Sequence, residues 1–221
     1  MAELHSDAVG QLIEWAGTES DEVLNDMELR AEEEEFPTVG AEVGRTFALC
    51  TRLLGAQSVL ELGSGYGYSA YWIAQTLPDD GTIVLTERDS ELLGDARTYF
   101  ERGNLSERAV FKHGDALEIA ENCTDSFDLV VLDHDTADYI PGFDIARGLV
   151  DPGGAILIDN VAIYEEILTP EELLATLNGE TPPNERTRTV AEFFNHLKND
   201  TAFETYILPV GEGLAISYRT Q

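Results

Sequence analysis

The 221 residues carry 43% hydrophobic side chains, enough for one α/β domain with a substantial core, and no low-complexity tract divides them. With 43 acidic against 13 basic residues the net charge is -30, spread along nearly the whole chain, which excludes nucleic acid and anionic membranes as partners. Residues 1–11 lack a basic start and an apolar stretch, and no run of 18 apolar residues occurs, so the expectation is a cytoplasmic protein without signal peptide or membrane span.

Residues 6–16 and 21–35 have the spacing of amphipathic helices, the second closing on the solvated run Glu32 to Glu35. Phe36-Pro37-Thr38-Val39-Gly40 breaks that pattern, and 41–54 reads as an apolar helix leading into the first strand. Strands are predicted near 58–62, 82–86, 109–113, 128–132 and 155–158. Helices near 69–77, 90–102, 115–121, 141–149 and 188–198 alternate with them, and this alternation means a parallel sheet covered on both faces. The connection 161–187, with Pro170, Pro182 and Pro183, contains a short helix at 170–177. Segments 203–210 and 214–219 flank Gly211-Glu212-Gly213 and read as an antiparallel hairpin at the sheet edge. One domain results, with amino-terminal helices over 1–57 and an α/β core over 58–221. Cys50 and Cys123 read as free thiols without a role.

The richest stretch is Ser58-Val59-Leu60-Glu61-Leu62-Gly63-Ser64-Gly65-Tyr66-Gly67-Tyr68-Ser69, an apolar strand running into three alternating glycines and a helix. Gly63, Gly65 and Gly67 allow a sharp turn and a close backbone approach to a ligand. A dinucleotide loop of the G-x-G-x-x-G type needs glycine or alanine where this chain has Tyr68. Glu61 decides further: an acid there repels a pyrophosphate but suits the sulfonium and ammonium groups of S-adenosylmethionine. Glu87, ending the second strand, is placed to accept hydrogen bonds from ribose hydroxyls.

Two more acids follow apolar strands, Asp133 in Leu132-Asp133-His134-Asp135 and Asp159 in Ile158-Asp159-Asn160. Ligands of open parallel sheets bind beyond the carboxyl ends of the strands, so Asp133, Asp159 and Asn160 can converge beside the glycine loop. Three oxygen ligands suit a hard cation, Mg²⁺, Mn²⁺ or Ca²⁺. The alternative is that these acids cap turns.

Only Lys112 and Lys198 are lysines, and this acid-rich, lysine-poor surface resembles proteins of salt-loving archaea; an ordinary acidic protein is the alternative. In molar salt the Debye length falls to roughly 3 Å, which screens the self-repulsion. Tyr71 and Trp72 have core spacing, Tyr66 can border the methionine part of the cofactor, and His5, His113 and His196 have structural readings.

From Phe36 onward the chain resembles the cation-dependent O-methyltransferases that include the catechol and caffeoyl-coenzyme A enzymes. The resemblance is carried by Val39-Gly40, Val59 to Gly63, Gly67-Tyr68-Ser69-Ala70, Glu87, Gly114-Asp115-Ala116, Leu132-Asp133-His134 with Tyr139, Pro152-Gly153-Gly154, Asp159-Asn160-Val161, Phe194-Asn195 and Pro209 to Leu214. It implies a Rossmann-like class I methyltransferase fold, a seven-stranded, mostly parallel sheet with a carboxyl-terminal antiparallel hairpin and helices on both faces. It also implies that Val39, Glu61, Gly63, Gly65, Tyr66, Gly67, Ser69, Glu87, Ala116 and Asp133 border the cofactor, and that Asp133, Asp159 and Asn160 hold the metal. The implied acceptor is a small hydroxylated, catechol-like molecule, and homologues are often dimers.

One position departs from the family. Its members carry a lysine general base three residues after the first metal aspartate, where this chain has Thr136. The metal alone then ionises the acceptor, or His134 or Asp135 serves as base, or the protein binds the cofactor without turnover. A metal-independent methyltransferase and, more distantly, a nicotinamide oxidoreductase are the other readings.

Overall fold

The computed structural model describes residues 6–163 and 167–221. Among them, seven strands form one sheet: β1 (Ser58–Leu62), β2 (Thr82–Glu87), β3 (Ala109–His113), β4 (Phe127–Leu132), β5 (Val150–Ile158), β6 (Phe203–Leu208) and β7 (Leu214–Arg219). Their order is β3-β2-β1-β4-β5-β7-β6. The first five run parallel, while β7 pairs antiparallel with both β5 and β6, so the hairpin closes the sheet edge as the sequence predicts.

Among the described residues, nine α-helices accompany the strands: α1 (Asp7–Ala16), α2 (Glu22–Glu34), α3 (Gly40–Leu54), α4 (Tyr68–Ala74), α5 (Ser90–Arg102), α6 (Ala116–Glu121), α7 (Tyr139–Leu149), α8 (Pro170–Leu177) and α9 (Glu185–Asn199). Five of these starts, those of α2, α5, α6, α8 and α9, carry side-chain caps. Asp89 accepts from the Glu91 and Leu92 amides, Asp115 from Glu118, and Asn184 from Thr187, satisfying donors that a helix start leaves unpaired.

The sheet is buried on both faces because consecutive strand residues alternate between two cores. Val59, Val131 and Leu157 pack with Phe47 of α3, Tyr71 of α4 and Phe100 of α5. Leu60, Val130 and Ile156 pack with Phe143 of α7 and Phe193 of α9. Truncating a ring such as Phe193 to alanine would cost about 3–5 kcal/mol. A smaller cluster of Leu168, Leu173, Val190 and Ala191 joins α8 to α9.

Three boundaries differ from the sequence reading by three residues or more. α4 ends at Ala74 rather than 77, ahead of the turn that Pro78 imposes. β5 begins at Val150 rather than 155, so Pro152-Gly153-Gly154 is drawn into the strand next to a register shift between Phe127 and Leu129. α9 starts three residues early, at the Asn184 cap, because its first turn is polar and shows no apolar period. Cys50 and Cys123 are free, each with its thiol pKa raised by burial. His5 lies outside the described residues. No helix among the described residues is long and apolar enough to cross a membrane.

Candidate functional site

Strand order reverses between β1 and β4, the point at which open α/β sheets bind ligands beyond their carboxyl ends. The glycine loop leaves β1 there. Gly63 has φ of +87°, and a Cβ on it would stand 2.3 Å from the Asp133 carbonyl oxygen, so only glycine lets the ends of β1 and β4 touch. The loop is tied to β2 by three amides: Gly63 donates to Thr86 Oγ1 at 3.4 Å, Ser64 to the Thr86 carbonyl at 3.0 Å, and Gly65 to Glu87 Oε2 at 2.9 Å.

Glu61 is fully buried at the base of this loop. Its Oε1 accepts from the Ser69 hydroxyl at 2.5 Å, while Oε2 is buried without a hydrogen-bond partner. Burial pushes its pKa up to about 8, and the nearby Asp133 and Glu87 carboxylates add to the rise against the Ser69 bond. A buried acid crowded by two others is a costly arrangement in an isolated fold. It fits a cationic ligand, whose positive charge would offset all three.

At the neighbouring ends of β4 and β5 stand Asp133 and Asp159, and the Asp133 charge acts on the Asp159 carboxyl. Burial raises the Asp133 carboxyl to about 6; Asp159 is raised well above the usual range by burial first, then by Asp133 and Glu212. Asp159 is 2% exposed and its Oδ1 has no hydrogen-bond partner. Its backbone is anchored from α7, where the Tyr139 hydroxyl donates to the Asp159 carbonyl at 2.7 Å. Asn160 follows at φ of +59° and gives its Nδ2–H to Glu212 Oε2 at 2.7 Å, which leaves Oδ1 for another partner. Among the described residues no three His, Cys, Asp or Glu side chains form a metal-binding group. The expected ligands Asp133, Asp159 and Asn160 would offer two carboxylates and one amide oxygen. Paired, partly unsatisfied oxygens of this kind fit a hard cation.

The remaining expected residues fall around these two centres. Phe36, Thr38, Val39, Ser64, Ser69 and Asp133 line a cavity of about 30 Å³ between the segment 36–39 and the loop, and Gly65 and Tyr66 border it too. The Tyr66 side chain is buried, its hydroxyl donating to the Met27 carbonyl at 3.0 Å, so its ring serves the core. Ala116 opens α6 beyond β3. A much larger cleft of about 1130 Å³ lies between α1, α2 and α3, and it shares no lining residue with the loop cavity. Thr136 is buried in a short 3-10 turn at 136–138. His134 Nδ1 meets the Asp135 carbonyl at 3.1 Å; Nε2 is buried without a hydrogen-bond partner, 2.4 Å from where a Cβ on Gly142 would stand. Burial lowers the His134 pKa, keeping the ring neutral. Glu212 was legible only as part of a quoted motif, with no role attached; two glycines flanking an acid in a hairpin turn were the one available signal.

A sequence profile described as O-methyltransferase matches residues 16–220. The chain belongs to the O-methyltransferase family. Membership makes it an S-adenosylmethionine-dependent O-methyltransferase. The catechol O-methyltransferase of Niastella koreensis is 31% identical over 146 residues, which cover 64% of this chain and 66% of that protein. Caffeoyl-CoA O-methyltransferase 2 of Petunia hybrida is 26% identical over 192 residues, 82% of this chain and 76% of the other. Among solved structures, the O-methyltransferase TomG of Streptomyces achromogenes, in complex with SAM, superposes with a TM-score of 0.83 over 100% of both chains at 22% identity. That likeness speaks to the fold, and it agrees with the seven-stranded sheet of this O-methyltransferase.

Proposed function

We propose that this O-methyltransferase transfers the methyl group of S-adenosylmethionine, with help from a divalent cation, to a hydroxyl of a small catechol-like acceptor. The observation that carries the reading is the pairing of Asp133 with Asp159 beside the Asn160 amide, with a buried, unpartnered Asp159 oxygen, next to the glycine loop. Glu61, Gly63, Gly65, Gly67, Ser69, Glu87 and Asp133 would hold the cofactor, joined by Val39, Tyr66 and Ala116 at its edges. Asp133, Asp159 and Asn160 would hold Mg²⁺, Mn²⁺ or Ca²⁺, and the bound ion would lower the pKa of the acceptor hydroxyl. The catechol and caffeoyl-CoA enzymes among the relatives support the acceptor class.

The chain's own part is binding and orientation. Glu61 would offer negative charge to the cofactor's cationic end, and Glu87 acceptor oxygens to its hydroxyls. A cavity of about 30 Å³ holds about one water, so the cofactor would extend beyond the space between the segment 36–39 and the loop. With threonine at 136, His134 is the candidate proton acceptor. Its neutral ring and unpartnered Nε2 suit that task, and service as a base requires the ring to turn from Gly142. His134→Asn should then lower kcat by about 10²–10⁴ with cofactor affinity unchanged; wild-type kcat would place the base elsewhere.

The deciding experiment is calorimetric titration of S-adenosylmethionine in molar KCl, followed by turnover of a panel of dihydroxy-aromatic acceptors with Mg²⁺ or with chelator. Methylated product that depends on the cation supports the reading. Equal turnover in chelator would reduce Asp159 and Asn160 to acceptor-positioning groups, and absence of cofactor binding would sink the proposal.

A further inference from the structure

Asn160 is held in an uncommon way. Its φ of +59° lies in the left-handed region that residues with side chains seldom adopt, and such strain persists only where surrounding structure enforces it. The enforcing element is the turn between β6 and β7, about fifty residues further along the chain. The Ala162 and Ile163 amides donate to the Glu212 carbonyl at 3.1 and 2.8 Å, and the Val161 amide donates to the Gly213 carbonyl at 3.0 Å. Gly213, at φ of +98°, lies so close that a Cβ on it would stand 2.5 Å from Ala162 Cβ. The turn therefore clamps the residues immediately after Asn160.

On this clamp, the Glu212 side chain reaches Asn160 Nδ2 at 2.7 Å. A carboxylate can only accept hydrogen bonds, whereas a carboxamide has one donating and one accepting end. Facing Glu212, the amide must turn its NH₂ toward the acid and its oxygen elsewhere. We propose that Glu212 is a positioning residue of the cation site: it fixes the Asn160 carboxamide so that Oδ1 joins Asp133 and Asp159 as the third oxygen ligand. This rests on the cation reading given above. Outer-shell partners of this kind are worth about 10–100-fold in metal affinity.

The test is a double-mutant cycle read as Mn²⁺ affinity by calorimetry in molar KCl, with no acceptor and no turnover involved. Glu212→Ala should weaken Mn²⁺ binding about 10–100-fold while leaving S-adenosylmethionine affinity and the melting temperature in place. Asn160→Ala should weaken it comparably, and the double variant should be no worse than Asn160→Ala alone, because Glu212 acts through that amide. Wild-type affinity in Glu212→Ala, or a loss that adds in full to that of Asn160→Ala, overturns the proposal. Should Glu212→Ala fail to fold, Glu212→Gln keeps the size of the side chain but no longer dictates the amide's direction; it should show a loss of the same sign that also vanishes in the Asn160→Ala background, and unchanged affinity overturns the proposal equally. Asp159→Asn serves as the control. If the wild-type protein takes up no Mn²⁺, or Asp159→Asn binds it as well as wild type, the cation reading itself fails and this proposal falls with it, a result distinct from a wild-type-like Glu212 variant.

Discussion

Glu87 Oε2 accepts the Gly65 amide hydrogen at 2.9 Å, and Oε1 of the same carboxylate accepts from Asp89 at 2.8 Å. The acid proposed to meet ribose hydroxyls is thus also a brace that holds the glycine loop against β2. Glu87→Ala should therefore lose more than a ribose contact. Hydrogen bonds to a charged group are worth about 1.5–3 kcal/mol, so cofactor affinity should fall at least about tenfold and the cofactor-free melting temperature should drop too. Calorimetry and thermal melts on one variant check both; a loss of affinity at an unchanged melting temperature would mean the loop does not depend on the brace.

Glu61 makes the fold sensitive to pH in a defined direction. Its folded pKa of about 8 lies above the ordinary carboxylate value, so between roughly pH 4.5 and 8 the folded state holds more protons than the unfolded one. Its contribution is favourable below that window and is lost as pH rises through it, with a slope of up to about 1.4 kcal/mol per pH unit, levelling off above pH 8. Glu61→Gln should flatten the dependence of melting temperature on pH in that window. A positively charged ligand prefers the ionised acid, so cofactor binding below pH 8 should release a proton, visible as a dependence of the calorimetric heat on buffer. An identical pH profile in Glu61→Gln would contradict this account.

Burial and the Asp133 charge both oppose ionisation of Asp159. Asp159→Asn keeps the shape and removes that ionisable carboxyl, so in chelator its advantage in melting temperature over wild type should grow as pH rises, to about 0.5–2 kcal/mol in stability, while cation binding is lost. A lower melting temperature in chelator would show that the carboxylate earns its place structurally.

A net charge of -30 across one domain should make stability depend on salt. Described ion pairs such as Arg30–Asp95 and Arg147–Asp200 use some of the few arginines, leaving most acids uncompensated. The melting temperature should climb as KCl is raised from tens of millimolar to molar concentration. A flat profile would argue against adaptation of the surface to high salt.

The alternation of strands and helices, the glycine loop and both acidic strand ends were legible because each rests on short-range physics. Apolar runs of 4–6 residues bounded by glycine or acids specify buried strands, and a glycine pattern after a strand specifies a backbone that bends sharply. Where local signals conflicted, the boundary moved: Asp151-Pro152-Gly153-Gly154 carries turn residues, yet pairing of Val150 with Phe127 extends β5 across it. Tyr66 shows what local pattern leaves out. It borders the loop cavity, and Phe36 and Tyr99 also pack on its ring while Met27 takes its hydroxyl, all from distant segments.

By itself, then, the chain's sequence determined the class of fold, the place of the cofactor loop and the candidate ligands, because these follow from periodicity, glycine sterics and residue chemistry at fixed spacing. Tertiary structure alone decided that the Gly63 backbone abuts the Asp133 carbonyl, that the Asp133 and Asp159 carboxyls share one electrostatic site, and that Glu212 reaches Asn160 from 52 positions away. Those relationships depend on which strands become neighbours, and that choice is made by burying apolar surface across the whole sheet rather than by any local run of residues.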